Sequence, residues 1–303
     1  MLVRELVALY VRHCEVESVH CETAKKDRAY TFGLFVAKYA ELRVCDLKPF
    51  HLTDLIEEHP EWRSVATRRA KSNAIRACFQ WAAEQERIER NPFRLVRYAE
   101  AERRPDLPDE DLSRVYLLAN KPFERVCRFL RLTGCRVGEL CKARWQDMDL
   151  AGGQWTIPLH KSRKHTGKPK LVALVPEAVE LLCQVAGAVA FGPVAGSVTA
   201  VVATPAQPTA FVFLNTRGKP WNANALGMQL RRLKARHGVH TMATLHGIRH
   251  RFGTAGVVNG APLKLISAQL GHSSVAVTEA YYVDLSGQMD AIRAAAAKAL
   301  PKE

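Results

Sequence analysis

The chain has 303 residues, a formal net charge of +14 and a pI near 9.6. This length favours two domains over one, and a hydrophobic content of 48% excludes a disordered chain. So large a basic excess favours a polyanionic partner, with nucleic acid as the leading candidate. The alternative is a basic protein whose lysines and arginines are only solvated.

The first 98 residues predict a helical domain. Apolar residues recur at helical spacing from Leu2 onward and again over residues 30–42. A short helix is expected to open at Thr53-Asp54, and a long helix is expected over residues 64–87. The charged stretch 99–107 then predicts a linker between domains.

Residues 108–303 predict a second, mixed domain. A helix begins after Pro108, and a helical region follows over residues 123–143. Two short strands, 154–159 and 170–175, are joined by a basic hairpin-like loop. Further helices are expected at residues 176 onward, 223–236, 246–260, 263–270, 274–282 and 289–300, with a nearly uncharged loop or insertion over 187–209. The predicted fold class is mainly α with a small β-hairpin or sheet.

The eight cysteines form no CxxC pair, and most have apolar neighbours. They predict small buried residues in a reducing compartment. His13-Cys14 and His20-Cys21 match no structural zinc spacing. The N-terminus lacks a signal-peptide core, and the most apolar stretch, 186–203, is interrupted by glycine and proline. We therefore expect a soluble, cytoplasmic protein with no membrane association.

The chemistry-bearing residues occur in a fixed order. Arg136 lies in Thr-Gly-Cys-Arg-Val-Gly-Glu-Leu, and its ordinary interpretation is a surface arginine paired with Glu139 or Glu124. His246 and Arg249 are three residues apart on one predicted helix. His272 follows Leu270-Gly271 at what reads as a helix start, and Tyr281 comes nine residues later. Each of these residues alone has a bland structural explanation.

Together they suit chemistry on a phosphodiester. Arginines hold the phosphate, histidines transfer protons, and a phenol can attack phosphorus. No acidic cluster accompanies them in the sequence, so we expect neither a metal nor another cofactor.

This order resembles the tyrosine recombinase (phage integrase) family over about residues 108–285. The family pattern has an arginine in a TGxRxxEL context, a lysine on a β-hairpin, HxxR, LGH and a nucleophilic tyrosine nine residues after the last histidine. The resemblance implies a helical core-binding, DNA-binding domain over 1–98 and a catalytic domain with a C-terminal tail helix over 108–303. It also implies a site-specific recombinase that acts without metal or ATP.

The resemblance also implies a role for each catalytic residue. Tyr281 attacks the scissile phosphate and forms a 3′-phosphotyrosyl bond. Arg136 and Arg249 neutralise the non-bridging oxygens, and His272 donates a further hydrogen bond. His246 accepts the tyrosine proton, and a hairpin lysine protonates the leaving 5′-oxygen. Lys161 is favoured for that lysine, with Lys164 second, and spacing favours Tyr281 over Tyr282.

Three groups of basic residues are candidate DNA contacts. The residues concerned are Arg68, Arg69, Lys71 and Arg76 on the long N-terminal helix, Lys164 and Lys168 on the hairpin, and Arg231 and Arg232 before HxxR. A solvated helix face is the alternative. The expected partners are double-stranded DNA and further copies of the chain, as a tetramer in the synapse and a monomer when free. The Ala-rich tail is expected to dock on a neighbouring protomer, or else on its own domain.

Two competing functions remain open on sequence grounds. A type IB topoisomerase would share the tyrosine chemistry, and a non-catalytic DNA-binding protein would share the scaffold. The LGH spacing and the N-terminal helical domain favour the recombinase over the first. The intact set of arginines, histidines and tyrosine argues against the second.

Overall fold

The structure is a computed structural model that describes residues 1–16, 22–99, 107–158, 167–187, 208–239, 243–272 and 274–282. Of residues 22, 23, 277 and 280–282 it describes the backbone alone. The chain divides into two compact units, residues 1–103 and 104–303. The described residues are mainly helical with one three-stranded sheet, which confirms the predicted fold class.

Among the described residues of the first unit, four α-helices pack around aromatic side chains. They are α1 (Val3–Val16), α2 (Glu22–Tyr39), α3 (Pro49–Glu57) and α4 (Val65–Glu84). Phe35 lies at the centre, in edge-to-face contact with Phe79 and Phe93, and all three rings are fully buried. The Ser64 hydroxyl caps α4 by accepting from the Thr67 amide, which satisfies an amide left open at the helix start.

The second unit surrounds a small sheet with eight helices among its described residues. These are α5 (Asp109–Leu118), α6 (Lys121–Thr133), α7 (Val137–Leu140), α8 (Pro176–Ala186), α9 (Ala223–His237), α10 (Leu245–Val258), α11 (Leu263–Leu270) and α12 (Val275–Tyr282). Three of them begin at side-chain caps: Asn120 for α6, Asn222 for α9 and Thr244 for α10. The core packs Phe129 of α6 against Trp155 and Phe213.

The sheet has the order β1-β2-β3 and is antiparallel throughout. Its strands are β1 (Met148–Asp149), β2 (Gln154–Ile157) and β3 (Lys170–Ala173). The register pairs Trp155 with Val172 and Ile157 with Lys170. Strands β2 and β3 confirm the two predicted strands, whereas β1 was not predicted. Residues 159–166 of the connecting loop lie outside the described residues, as do the 188–207 insertion and the tail from 283.

The helical region predicted over 123–143 consists of α6 and α7, and α6 ends at Gly134, which has a φ of +63° in the left-handed region. Two local predictions were wrong. Helix α3 begins at Pro49, not at Thr53-Asp54, because a proline fits the first turn of a helix. His272 does not begin a helix but follows Gly271, the left-handed C-cap of α11.

Candidate active site

The Leu270-Gly271-His272 turn brings the two motif arginines together. The Leu270 carbonyl accepts from Arg249 Nη2 at 2.9 Å, and the Gly271 carbonyl accepts from Arg136 Nη2, also at 2.9 Å. Both carbonyls lie at the end of α11, where the last carbonyls have no partner within the helix. Two guanidinium groups are thereby fixed on neighbouring peptide groups, although they lie more than a hundred residues apart in sequence.

Arg136 is the more exposed of the two, with a side chain 28% accessible. It lies at the N-cap of α7, where Glu139 Oε1 accepts from its Nη1 at 2.8 Å and Glu139 Oε2 accepts from its backbone amide at 2.9 Å. Arg136 therefore does pair with Glu139, as the alternative to a catalytic role predicted, but the Glu139 carboxylate is buried and not on the surface. A guanidinium has five N–H donors. The bonds to Glu139 Oε1 and to the Gly271 carbonyl use two of them.

Arg249 is almost completely buried, at 4% exposure. Its Nη1 donates to the Gly134 carbonyl at 2.6 Å, and its Nη2 donates to Leu270. Gly134, which has a left-handed φ, lies close against Phe252: a Cβ at this position would lie 2.6 Å from a ring carbon of that side chain. Arg249 therefore joins the ends of α6 and α11.

Sequence reasoning missed Lys170, which lies at the start of β3 and is 5% exposed. Its Nζ lies 2.9 Å from Glu139 Oε2, in an ion pair whose side chains are 3% and 5% accessible. The available signal was strand alternation: residues two apart share a face, so a core Val172 places Lys170 inside as well. Leu171 between them is 54% exposed.

Glu139 is the anion of this cluster. Burial raises the pKa of its carboxyl, but Lys170, the Arg136 amide and the Arg136 guanidinium outweigh burial and hold that pKa below its ordinary value. Burial also lowers the pKa of the Lys170 ammonium, against the attraction of Glu139. Glu139 is thus an ionised carboxylate shared by two cations.

His272 is neutral in this environment. Burial, together with the nearby charges of Arg249 and Arg136, lowers the pKa of its imidazole to about 4. Arg249 Nη2 lies 3.2 Å from Nε2, and an arginine can only donate, so Nε2 accepts. These partners assign the proton to Nδ1, which lies 2.8 Å from the Thr278 hydroxyl.

Thr278 connects this histidine to the helix of the candidate nucleophile. It is fully buried on α12, one helical turn before Tyr281. Tyr281 and Tyr282 lie within α12, and their side chains are outside the described part of the structure. His246 is an exposed residue in the first turn of α10, three residues before the buried Arg249. Lys161 and Lys164 lie outside the described residues.

The candidate DNA contacts differ in exposure. Arg231, Arg232 and Lys168 are exposed, whereas Arg68, Arg69 and Arg76 are partly buried. Arg68 donates to the Trp62 carbonyl at 2.9 Å. Lys71 was placed wrongly on a polar face: it is 6% exposed, and its Nζ lies 2.5 Å from Asp27 and 3.1 Å from the Thr31 hydroxyl. That ammonium belongs to the interior of the first unit, so Lys71 is withdrawn as a DNA contact.

Among the residues that the structure describes, no three His, Cys, Asp or Glu side chains lie close enough together to hold a metal ion. No helix in the described part of the chain is long and apolar enough to cross a membrane.

The chain is similar in sequence to bacterial recombinases. The tyrosine recombinase XerC of Bacillus licheniformis is 26% identical over 240 residues, which cover 75% of this chain and 73% of that protein. The tyrosine recombinase XerC of Xanthomonas campestris pv. campestris is 25% identical over 284 residues, covering 90% and 82% respectively.

Solved structures share the fold. The Tn1549 transposon integrase in complex with a circular intermediate DNA superposes with a TM-score of 0.74 at 19% identity, over 98% of this chain and 99% of that one. A lambda integrase tetramer bound to a Holliday junction gives a TM-score of 0.71 at 15% identity, over 94% and 78%.

The family model described as the phage integrase family matches residues 113–288, which is more than half of the chain. This span holds Arg136, the sheet, the HxxR and LGH motifs and Tyr281. The chain belongs to the phage integrase family and is a tyrosine-type DNA recombinase.

Proposed function

We propose that this protein is a site-specific recombinase that cleaves and rejoins duplex DNA through a 3′-phosphotyrosyl bond to Tyr281. The observation that carries the proposal is the pair of arginines fixed on the consecutive carbonyls of Leu270 and Gly271, beside a neutral His272. Two fixed cations in a partly buried setting suit the dianionic charge that develops as phosphorus is attacked.

In this proposal, the Tyr281 oxygen attacks the scissile phosphorus and its proton passes to His246. The bond from phosphorus to the 5′-oxygen breaks, and that oxygen leaves as a hydroxyl with a proton from a hairpin lysine, Lys161 or Lys164. The covalent bond to tyrosine conserves the energy of the phosphodiester, so a 5′-hydroxyl of another strand can reverse the step. Arg136, Arg249 and Lys170 supply positive charge within the protein, and we propose that no metal or other cofactor takes part.

The hydrogen bonds of His272 suggest how it meets the phosphate. In the described geometry its Nε2 accepts from Arg249. If a phosphate oxygen accepts the Arg249 N–H in place of Nε2, the imidazole proton can lie on Nε2. Nε2 then donates a hydrogen bond to the phosphate. The Thr278 hydroxyl suits both arrangements, because it can accept from Nδ1 or donate to it.

We further propose that the protein binds duplex DNA and acts as a tetramer. The net charge of +14 supports the first point. The structural neighbours, a Tn1549 integrase in complex with DNA and a lambda integrase tetramer bound to a Holliday junction, support both. Phosphate contacts would dominate the affinity, so the affinity should fall steeply as salt rises. We keep Arg231, Arg232 and Lys168, which are exposed, as the first residues to substitute in a binding assay.

The experiment that tests this function is capture of the covalent adduct on a nicked suicide substrate, in buffer that contains EDTA. We expect the natural protein to form an adduct that denaturing electrophoresis resolves, and Tyr281→Phe to form none while it still binds DNA. Tyr282→Phe is the matched control and should react. An adduct that persists in Tyr281→Phe, or that needs added magnesium, contradicts the proposal.

A recombination assay on two sites then separates this function from its nearest alternative. A type IB topoisomerase would relax supercoiled DNA without exchanging partners. We expect joined products from two sites, and relaxation without them would assign the protein to the alternative.

A further inference from the structure

We propose that Lys170 is a positioning residue for Arg136, and that it acts through Glu139. The inference rests on the phosphodiester chemistry proposed above, in which Arg136 holds a non-bridging oxygen. It concerns a lysine on the buried face of β3, distinct from the hairpin lysines Lys161 and Lys164.

The first step is the sharing of one carboxylate. Glu139 Oε2 receives the Lys170 ammonium and the Arg136 amide, both at 2.9 Å, while Oε1 receives the Arg136 guanidinium at 2.8 Å. A carboxylate with both oxygens occupied cannot rotate without breaking a charge-assisted hydrogen bond. The orientation of Oε1, and with it the Arg136 guanidinium, is therefore fixed in part from the β3 side.

The second step is the close contact between Lys170 and the LGH turn. A Cβ added to Gly271 would lie 2.7 Å from Lys170 Cδ and 2.8 Å from its Cε, so the lysine packs directly on the glycine backbone. The carbonyl of that same glycine accepts from Arg136. Lys170 thus contacts both supports of the arginine, the carboxylate and the carbonyl-bearing turn.

Stability alone gives little reason for a charged side chain at this position. A buried ion pair gains little over apolar side chains of similar volume, because desolvation offsets the attraction. Residues that face inward from β3 are otherwise suited to a hydrophobic core, as Val172 is. The charge of Lys170 is explained by Glu139, because the same carboxylate holds Arg136 of the candidate active site.

The charges around Glu139 give this role a pH signature. Glu139 faces Arg136 from α7 and Lys170 from β3, and Lys170 in turn is influenced by Arg249 and by the Cys135 thiol. Removing the Lys170 charge leaves burial opposed by Arg136 alone, so the pKa of Glu139 rises. Glu139 must be ionised to hold Arg136. As the pH is lowered, the variants should therefore lose activity at a higher pH than the natural protein does.

The test compares Lys170→Met and Lys170→Gln with the natural protein on the suicide substrate. Methionine keeps most of the length of the side chain without its charge. Glutamine keeps an N–H donor for Glu139, so we expect the glutamine variant to fold even where the methionine variant does not. We expect adduct formation to slow by about 10- to 100-fold, as for a misplaced catalytic group, with DNA affinity changed less than about threefold. The acidic limb of the pH–rate profile should move upward in both variants.

The matched control is Val172→Ala, which weakens the same strand without touching Glu139. Its rate should stay near that of the natural protein below its unfolding temperature. If either Lys170 variant reacts as fast as Val172→Ala with an unmoved acidic limb, the proposal is wrong.

A second measurement does not depend on catalysis. The side-chain Nε–H signal of Arg136, assigned by its absence in Arg136→Lys, should report an ordered group in the natural protein and a mobile one in both Lys170 variants. An equally ordered signal contradicts the role of Lys170. A natural protein that forms no adduct contradicts the proposed function instead, and this signal still decides the role of Lys170.

Discussion

Among the described residues, each unit buries one lysine beside one acid, and the two pairs differ in what surrounds them. In the first unit, Lys71 meets Asp27, which is 62% accessible, and the Tyr30 and Trp62 rings lie 5.5 and 5.6 Å from its ammonium. In the second unit, Lys170 meets Glu139, which is 5% accessible and also holds Arg136.

The difference shows how one kind of contact serves two purposes. The Lys71 pair ends at solvent and at aromatic rings, so it covers a core. The Lys170 pair continues into Arg136 and from there to the Gly271 carbonyl, so it sets the geometry of a site. Both lysines are buried, so burial of the charge does not distinguish the two pairs. They are distinguished by the further partner of Glu139, which is Arg136.

The largest contrast is expected when each acid is neutralised. Glu139→Gln leaves Lys170 buried without its carboxylate and should cost about 3–5 kcal/mol of folding free energy. Asp27→Asn should cost about 1 kcal/mol or less, because an exposed acid contributes little and Lys71 keeps the Thr31 hydroxyl. Hydrogen exchange followed peptide by peptide reports each unit separately. Equal losses in the two units would contradict the comparison.

A smaller effect is expected at two left-handed glycines. Gly271 and Gly238 have φ values of +68° and +58°, so alanine should cost about 1–2 kcal/mol at either position. Only at Gly271 does the added Cβ meet Lys170, whereas nothing lies within 4 Å of one at Gly238. We therefore expect Gly271→Ala alone to slow adduct formation, by about 10-fold or more. Similar rates for both variants would show that Lys170 does not transmit the change.

The smallest expected effect is the dependence of stability on pH that His272 causes. Its folded pKa of about 4 lies below the ordinary value of 6.5, so the unfolded chain binds the proton more readily between these values. Stability therefore falls as the pH is lowered from about 6.5 to 4, by on the order of 1 kcal/mol after allowance for solvent screening. Urea unfolding at pH 7 and pH 4.5 measures the loss, which His272→Gln should reduce. An unchanged loss in that variant would assign it to other groups.

The motif residues and most helix bounds were accessible from the sequence because they depend on local signals. Helix α11 was predicted at its observed bounds, and β2 and β3 were located within two residues. The errors arose where distant contacts decide the outcome. Lys170 meets Glu139 from 31 residues away, and Lys71 meets Asp27 from 44 residues away, so neither ion pair follows from its neighbours in the chain.

The LGH turn shows the same limit within a motif. Its composition predicted a helix start at His272, yet Gly271 ends α11, and its carbonyl receives Arg136 from 135 residues away. The glycine is required by a left-handed φ and by the contact with Lys170, and both are properties of the folded unit. The roles of Gly271, Lys170 and Thr278 therefore emerge only when the motifs are placed in space.

The central claim is that this cluster serves a phosphodiester attacked by Tyr281, and localisation of the covalent bond tests it most directly. The adduct formed on the suicide substrate is digested with nuclease and protease, and the residue that carries the remaining nucleotide is identified by fragmentation in a mass spectrometer. The account predicts a nucleotide joined to the Tyr281 oxygen through its 3′-phosphate. A nucleotide on Tyr282 or on any other side chain, or linkage through a 5′-phosphate, would contradict it.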